Sequence, residues 1–340
     1  MRVLTLRELN RTLLLRQLLL RRERLGPARA IERLAAMQAQ WVPSPYVGLW
    51  SRLEGFRREQ LTRSLRRGQV VKAALMRGTL HLVSARDYPL YVTALRKDPA
   101  PWSNGRAKPE PELVAAVRSY VRREPRSARE LVAFVEEQRG PAGEVESRRD
   151  LAWLRHLIPL EPMPDTGEWG FTRGVRFRAA TFRPPPVAEA LAHLVRRYLA
   201  AFGPATRADL ASWSGQLLKT LDPALQSIRL RRFVDEEGRE LIDLPRAPLA
   251  RGDEPAPVRF LSRWDELLLG HADRRRVLPE EHAARKLVLG GAQALLVDGF
   301  VAGAWTVEAG RVVVEPFAPL PRSVRRELRQ ETAQLEAFLA

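Results

Sequence analysis

The chain has 340 residues, of which 45% are hydrophobic, so it contains enough apolar material for two or three compact domains. It has no cysteine, which excludes disulfides, cysteine zinc sites, iron–sulfur clusters and thiol nucleophiles. No apolar run approaches 18 residues and the basic N-terminal stretch lacks an apolar core, so we expect no membrane span, no secretory signal and a cytoplasmic location.

The formal net charge is +17, from 57 basic and 40 acidic residues. A GC-rich genome explains why only five of the basic residues are lysines, but it does not explain the sign of the charge. Residues 1–100 contain 20 basic and 7 acidic residues, so most of the excess lies in the first third of the chain. A polyanionic partner is expected, and DNA is favoured over a membrane because no amphipathic anchor helix stands apart.

The first third of the chain reads as helices closed by a hairpin. Thr5–Glu8 is a capping box that opens a helix to about Glu23, and Pro27 opens a second helix. Two further helices precede the strands 70–76 and 79–83, which flank a tight turn. Helices followed by such a hairpin describe a winged helix.

This pattern recurs twice at irregular spacing. Ser127–Glu130 opens a second copy, and Thr206–Asp209 opens a third whose hairpin turns at Asp235–Gly238. After Pro245, short strands that include 286–289 predict a small β-barrel, followed by a terminal helix. The predicted fold is therefore α+β and mostly helical, with three tandem winged-helix motifs and a C-terminal barrel. The expected domains are 1–98, 99–182, 183–245 and 246–340.

Familiar catalytic motifs are missing from the sequence. The five histidines form no pair at i and i+4, there is no phosphate-cradling glycine loop, and there is no GxSxG elbow. Neither a metal ion nor a cofactor is expected.

The segment Met37–Trp41 places two uncharged amides, Gln38 and Gln40, where a helix ends. Positions i and i+2 of a helix face different directions, whereas in an extended chain they point the same way. If the helix stops before Pro43, both amides can serve one site. The alternative is that one glutamine caps carbonyls and the other is solvated.

Several side chains near this segment are candidate DNA contacts. Trp41 and Tyr46 could stack on bases, although aromatic residues at helical spacing are more often core. His81 points away from its leucine neighbours in a strand and is expected on an exposed face. Lys72 and Arg77, on the same hairpin, are expected to contact phosphates.

Six segments, taken together, carry a family resemblance. They are Leu6–Asn10, Met37–Gln40, Met76–Val83, Phe202–Thr206, Arg263–Gly270 and Val297–Trp305. In this order they resemble the AlkZ/YcaQ family of bacterial winged-helix DNA glycosylases over nearly the whole chain. One departure is Gly290-Gly291, where family members often carry Asn-Gly.

The resemblance implies three winged helices, a barrel and removal of N7-alkylated purines, including bulky adducts and interstrand crosslinks. Gln38 and Gln40 match the family's catalytic Gln-x-Gln motif, whereas Asp265 lies in a matching segment without an assigned role. A lyase would need an amine, and only Lys72 lies on a hairpin expected to face DNA, so a monofunctional enzyme is predicted. We expect a monomer acting on double-stranded DNA at the nucleoid. The alternative is a non-enzymatic winged-helix regulator, although regulators usually present two symmetric recognition helices.

Overall fold

The computed structural model describes residues 1–95, 110–139, 154, 157–165, 167, 169–171, 175–283 and 290–340. Helices and short strands alternate in these ranges, which confirms the predicted α+β class. The helices are α1 Leu6–Arg16, α2 Pro27–Arg33, α3 Ser44–Arg52, α4 Arg58–Arg66, α5 Tyr88–Leu95, α6 Pro111–Arg123, α7 Ala128–Arg139, α8 Val187–Phe202, α9 Arg207–Ser214, α10 Leu218–Ser227, α11 Glu266–Leu269 and α12 Arg322–Leu339.

The strands form four small sheets. They are β1 Val3–Leu4, β2 Met37–Gln38, β3 Val70–Ala74, β4 Leu80–Ser84, β5 Arg126–Ser127, β6 Leu160–Pro162, β7 Arg176–Ala179, β8 Arg231–Asp235, β9 Glu240–Asp243, β10 Arg259–Phe260, β11 Gln293–Val297, β12 Phe300–Glu308 and β13 Arg311–Pro316. Three sheets have three strands, in the orders β2-β4-β3, β5-β7-β6 and β1-β8-β9. The fourth has the order β10-β11-β12-β13.

Helix α1 begins at the predicted capping box but ends earlier than the sequence predicts. The side chains of Thr5 and Glu8 cap α1 reciprocally, as predicted. The helix stops at Arg16, short of the predicted Glu23, because Leu18 adopts a left-handed φ of 57° that an α-helix cannot contain. Strand β1 pairs in parallel with β8, which attaches the N-terminus to the third sheet.

The first sheet contains the segment with the two amides. Helix α2 ends at Arg33, and the chain is extended at Gln38, so the predicted change to an extended backbone is confirmed. Strand β2 pairs antiparallel with β4, which is also paired with β3. The predicted hairpin is therefore real, and Arg77 and Gly78 turn it with positive φ angles of 55° and 71°.

The capping boxes predicted for the second and third copies are also confirmed. Ser127 exchanges hydrogen bonds with Glu130, and Thr206 does so with Asp209. The hairpin predicted around Asp235–Gly238 forms as β8 and β9. For the second copy the sequence also predicts a helix at 147–157, which lies almost entirely outside the described residues, as does the predicted domain boundary after residue 98.

The C-terminal region is an open sheet with a helix packed on it. Strands β10 to β13 are antiparallel neighbours in sequence order, and Leu335 of α12 is fully buried among their apolar residues. The described strands do not close on themselves, because β10 has two residues and β13 remains an edge. The predicted barrel is thus not confirmed, and its predicted strand 286–289 lies outside the described residues.

A buried ion pair joins α1 to the third sheet. The Arg16 guanidinium donates to both carboxylate oxygens of Asp243 over 2.9 and 2.8 Å, and the two side chains are 2% and 0% exposed. Arg16 also donates to the carbonyl oxygens of Leu199 and Pro248. This arginine satisfies acceptors from α8 and from the segment after β9.

We predict that Arg16→Met lowers the free energy of unfolding by about 3–5 kcal/mol, because it leaves the Asp243 carboxylate buried without its main partner. Urea unfolding measures this loss. Arg24→Met is the control, since the Arg24–Glu54 pair lies at the surface, where solvent screens the two charges and the pair adds little to stability. Equal losses in the two variants would contradict the structural role of the buried pair.

Candidate catalytic site

The two candidate catalytic amides lie side by side on one extended segment. Gln38 is 7% exposed and Gln40 is exposed, and Nε2 of Gln38 donates a hydrogen bond to Oε1 of Gln40. Oε1 of Gln38 is buried and has no hydrogen-bond partner in the described part of the chain. In Gln38 the amide nitrogen is therefore hydrogen-bonded, whereas the amide oxygen is free to accept a hydrogen bond as far as the described residues are concerned.

Backbone pairing determines the direction of these amides. Gln38 lies opposite His81 in the β2–β4 pair, and the amide of Ala39 donates to the carbonyl of Leu80 over 2.7 Å. Pro43 then starts the chain into α3. The amides are thus anchored to the central strand of the first sheet, and α3 follows directly.

A fully buried carboxylate, Glu266 at the start of α11, supports that central strand. Its Oε1 lies 3.0 Å from Nε2 of His81 and 3.2 Å from Nη2 of Arg77, and its Oε2 accepts from Nε1 of Trp213 at 3.0 Å. Burial raises the pKa of Glu266, but the charge of Arg77 and the hydrogen bonds from His81 and Trp213 outweigh it, so the pKa lies below its ordinary value. Glu266 is therefore ionised and holds the first sheet against α9.

The preceding residue, Asp265, makes a second buried ion pair. Nη1 and Nη2 of Arg52 donate to its two carboxylate oxygens over 2.9 and 2.6 Å, and both side chains are 2% exposed. Asp265 also caps α11 through the backbone amide of Leu267. The role that the sequence left open for Asp265 is thus the attachment of α11 to α3.

A small polar cavity lies between these groups. Its walls include Gln17, Gln38, Arg52, Trp264 and Glu266. Oε1 of Gln17, like that of Gln38, is buried without a partner among the described residues. Two amide oxygens, a carboxylate and an indole therefore line one small cavity beside Gln38.

The expected exposure of His81 is wrong. The ring is 0% exposed, its Nδ1 lies 2.9 Å from the carbonyl oxygen of Thr79, and its Nε2 faces Glu266. Alternation along the strand does turn His81 away from its neighbours, but α9 and α11 cover that face as well. His81 is therefore a buried partner of Glu266, and in this position its ring does not reach the surface.

Lys72 is buried, contrary to expectation, and Tyr46 is buried as well, which is the alternative that the helical spacing of the aromatic residues favoured. Nζ of Lys72 lies 4.4 Å from the centroid of the Phe171 ring, and the side chain is 7% exposed. Tyr46 is 1% exposed and hydrogen-bonds to Thr62 at 2.9 Å, and burial raises its pKa to about 12. Trp169 packs against Tyr46, and Phe171 lies under Lys72. These contacts join residues about a hundred positions apart, so a local sequence pattern does not reveal them.

Arg77 and Trp41 are only partly buried. The Arg77 guanidinium donates to the carbonyl oxygen of Trp213 and pairs with Glu266, so its charge is already compensated. The Trp41 ring lies under the guanidinium of Arg263, whose Cζ is 5.1 Å from the ring centroid. Of the predicted contacts beside the amides, Trp41 is the aromatic group that stays at the surface.

Sequence reasoning missed Glu266, Trp213, Arg52 and Arg263. A signal for the first was present, because two consecutive acids precede three leucines and an acid in such a segment is often buried with a partner. Within the described ranges, no three histidine or acidic side chains are arranged to hold a metal ion. No helix among the described residues is long and apolar enough to cross a bilayer.

Comparison with known proteins identifies similar chains. The model of the family described as "DNA glycosylase AlkZ-like" matches residues 31–338. The interstrand DNA cross-link repair glycosylase of Streptomyces sahachiroi is 26% identical over 364 residues, covering 94% of this chain and 92% of that protein. The structure of the S. sahachiroi DNA glycosylase AlkZ superposes with a TM-score of 0.83 at 22% identity, covering 99% of this chain and 97% of that one.

We predict that Glu266→Gln lowers the free energy of unfolding by about 3–5 kcal/mol at neutral pH, because the Arg77 guanidinium loses its buried counter-charge and His81 loses a charged hydrogen-bond partner. Since the folded-state pKa of Glu266 is depressed, its contribution is present above the unfolded pKa, near 4.3, and is lost as the pH falls through the folded value. Urea unfolding of parent and variant between pH 7 and 3 should show the difference shrinking in acid. A difference that does not change with pH would contradict the ionised pairing.

Proposed function

The chain belongs to the family of AlkZ-like DNA glycosylases and is an enzyme of that class, and from this premise we propose that it hydrolyses the N-glycosidic bond of N7-alkylated purines. The proposed substrates include bulky adducts and interstrand crosslinks in double-stranded DNA. The similar S. sahachiroi protein, named for cross-link repair, supports this extension. The product is an abasic site, made in general repair or in self-resistance to a genotoxin.

The observation that carries the proposal is the pair of adjacent carboxamides at Gln38 and Gln40. An amide has no useful basicity at neutral pH, so it cannot drive the loss of a normal, neutral base. An N7-alkylpurine is already cationic and leaves without protonation, which lowers the barrier that the protein must overcome. Carboxamide oxygens suffice to orient a water molecule and to stabilise positive charge on the sugar.

In the proposed mechanism, Gln40 is the closer partner of the attacking water and Gln38 its co-ligand. The buried Oε1 of Gln38 supplies an acceptor for a water proton, and the exposed position of Gln40 brings its amide to DNA. Lys72 contacts the Phe171 ring and is buried, which favours hydrolysis over lyase chemistry through an amine. The chain therefore acts as a monofunctional enzyme.

The fold suits this activity. We propose that each three-stranded sheet is the wing of a winged helix, since each includes a hairpin and packs with the helices that precede it. Three such motifs on one chain can surround a duplex without a second copy, so the active form is a monomer at the nucleoid. The non-enzymatic regulator is not retained, because the family is one of glycosylases.

The central test replaces the amides one at a time. Gln40→Ala and Gln38→Ala should each slow single-turnover excision of N7-methylguanine by about a hundredfold or more, roughly 3 kcal/mol, with little change in DNA affinity. The double variant should lose less than the sum, because both amides hold one water. Gln40→Asp restores a negative charge beside the sugar cation and should retain substantial activity.

Gln330→Ala is the matched control, since this glutamine is exposed on α12. Alkaline cleavage of the abasic product reports each rate. The assignment fails if Gln40→Ala excises at the parent rate, or if its loss follows weaker DNA binding.

A second test concerns the charge of the first third of the chain. If at least six phosphates are contacted, affinity for undamaged duplex should fall about a thousandfold or more between roughly 50 and 200 mM salt. Fluorescence anisotropy of a labelled duplex at several salt concentrations measures the slope. An affinity independent of salt would contradict the proposed DNA surface.

A further inference from the structure

One guanidinium near the amide pair lies close to two indole rings. Cζ of Arg263 lies 5.1 Å from the ring centroid of Trp41 and 5.7 Å from that of Trp264. All three side chains are partly exposed. Both distances lie within the range in which a cation is attracted to an aromatic face, so the planar group is restrained before any ligand arrives.

This guanidinium differs from Arg52 and Arg77 in having no counter-charge among the residues that the structure describes. Arg52 is paired with Asp265 and Arg77 with Glu266. Arg263 forms no ion pair with any residue that the structure describes, and its buried Nε has no hydrogen-bond partner there. A restrained, uncompensated guanidinium presents a planar set of donors that fits a phosphate.

The backbone beneath it is strained in a way that fixes this arrangement. Trp264 has a φ of 55°, which a bulky side chain rarely adopts. The neighbouring residues hold it there: the Ser44 hydroxyl donates to the carbonyl of Arg263 over 2.7 Å, and Arg52 binds Asp265. The ring also requires Gly291, where a Cβ would come within 2.9 Å of the indole. Strain retained by its surroundings is a feature of functional sites.

The two indole rings lie close to the amide motif. Trp41 directly follows Gln40 in the chain, and Trp264 lines the same cavity as Gln38. An anion bound by Arg263 is thereby placed next to the proposed reaction centre. In DNA the anions nearest to a sugar are its own flanking phosphates.

We propose that Arg263, whose guanidinium lies close to the rings of Trp41 and Trp264, binds a backbone phosphate that flanks the damaged nucleotide. This inference rests on the proposed glycosylase function and adds a substrate-binding residue to it. The contact positions the sugar of that nucleotide against Gln38 and Gln40.

The test pairs a protein change with a DNA change. Full-length parent and Arg263→Ala are titrated with a duplex that carries a tetrahydrofuran abasic-site analogue. Matched duplexes have one neutral methylphosphonate, either 5′ or 3′ to the analogue. Arg263→Ala should weaken binding of the unmodified duplex about 10- to 100-fold and lower the salt slope by about one. At one of the two phosphates, the methylphosphonate should weaken the parent but have little further effect on the variant.

Three further variants separate the contact from a structural role. Arg263→Lys keeps the charge but loses the planar donors, so it should recover only part of the affinity. Trp264→Phe keeps a smaller ring under the guanidinium, so it should weaken binding of the unmodified duplex measurably but less than Arg263→Ala does. The control is Arg58→Ala, which removes a guanidinium 4.9 Å from the centroid of the Trp169 ring, away from the cavity, and should show full sensitivity to the methylphosphonate.

The outcomes distinguish this contact from the reaction itself. If the effects of Arg263→Ala and of the methylphosphonate add fully at both phosphates, the proposed contact is wrong, while excision that depends on Gln40 would stand. If the parent excises no N7-methylguanine but the two changes are non-additive in binding, the glycosylase proposal fails and the phosphate contact stands. Melting temperatures of all variants establish that each is folded.

Discussion

Two consecutive buried carboxylates, Asp265 and Glu266, hold the candidate site together. Asp265 binds Arg52 of α3, and Glu266 binds His81 of β4 and Trp213 of α9. Both acids lie at the start of the short helix α11. Helix α3, strand β4 and helix α9 therefore all contact the same end of α11. A buried charge that loses its partner is costly, and these contacts therefore specify one arrangement of the three elements.

That arrangement matters because of the chemistry that amides can perform. A carboxamide neither takes up a proton strongly nor carries a charge, so its contribution to a reaction depends on being correctly placed. The pairing of β2 with β4 fixes the position of Gln38 opposite His81. A hydrogen bond to Glu266 in turn fixes the ring of His81. The buried polar contacts thus support the proposed mechanism without touching the substrate.

The arginines of the chain have two different uses. Some, such as Arg16 and Arg52, are buried and bind carboxylates or carbonyl oxygens that join distant segments. Others remain at least partly exposed. One of these, Arg263, lies close to the rings of Trp41 and Trp264 and forms no ion pair with any described residue. The planar, permanently charged guanidinium suits both roles. The net charge of the sequence therefore overstates the charge that is available to DNA.

The sequence by itself determined the features that depend on neighbouring residues. Capping boxes at Thr5, Ser127 and Thr206 start helices where expected, because such signals act over a few residues. Only the tertiary structure decided which side chains are exposed. His81 follows the strand alternation correctly, yet it is buried because α9 and α11, more than a hundred residues later, cover its face. Burial depends on long-range packing, which a local pattern cannot encode.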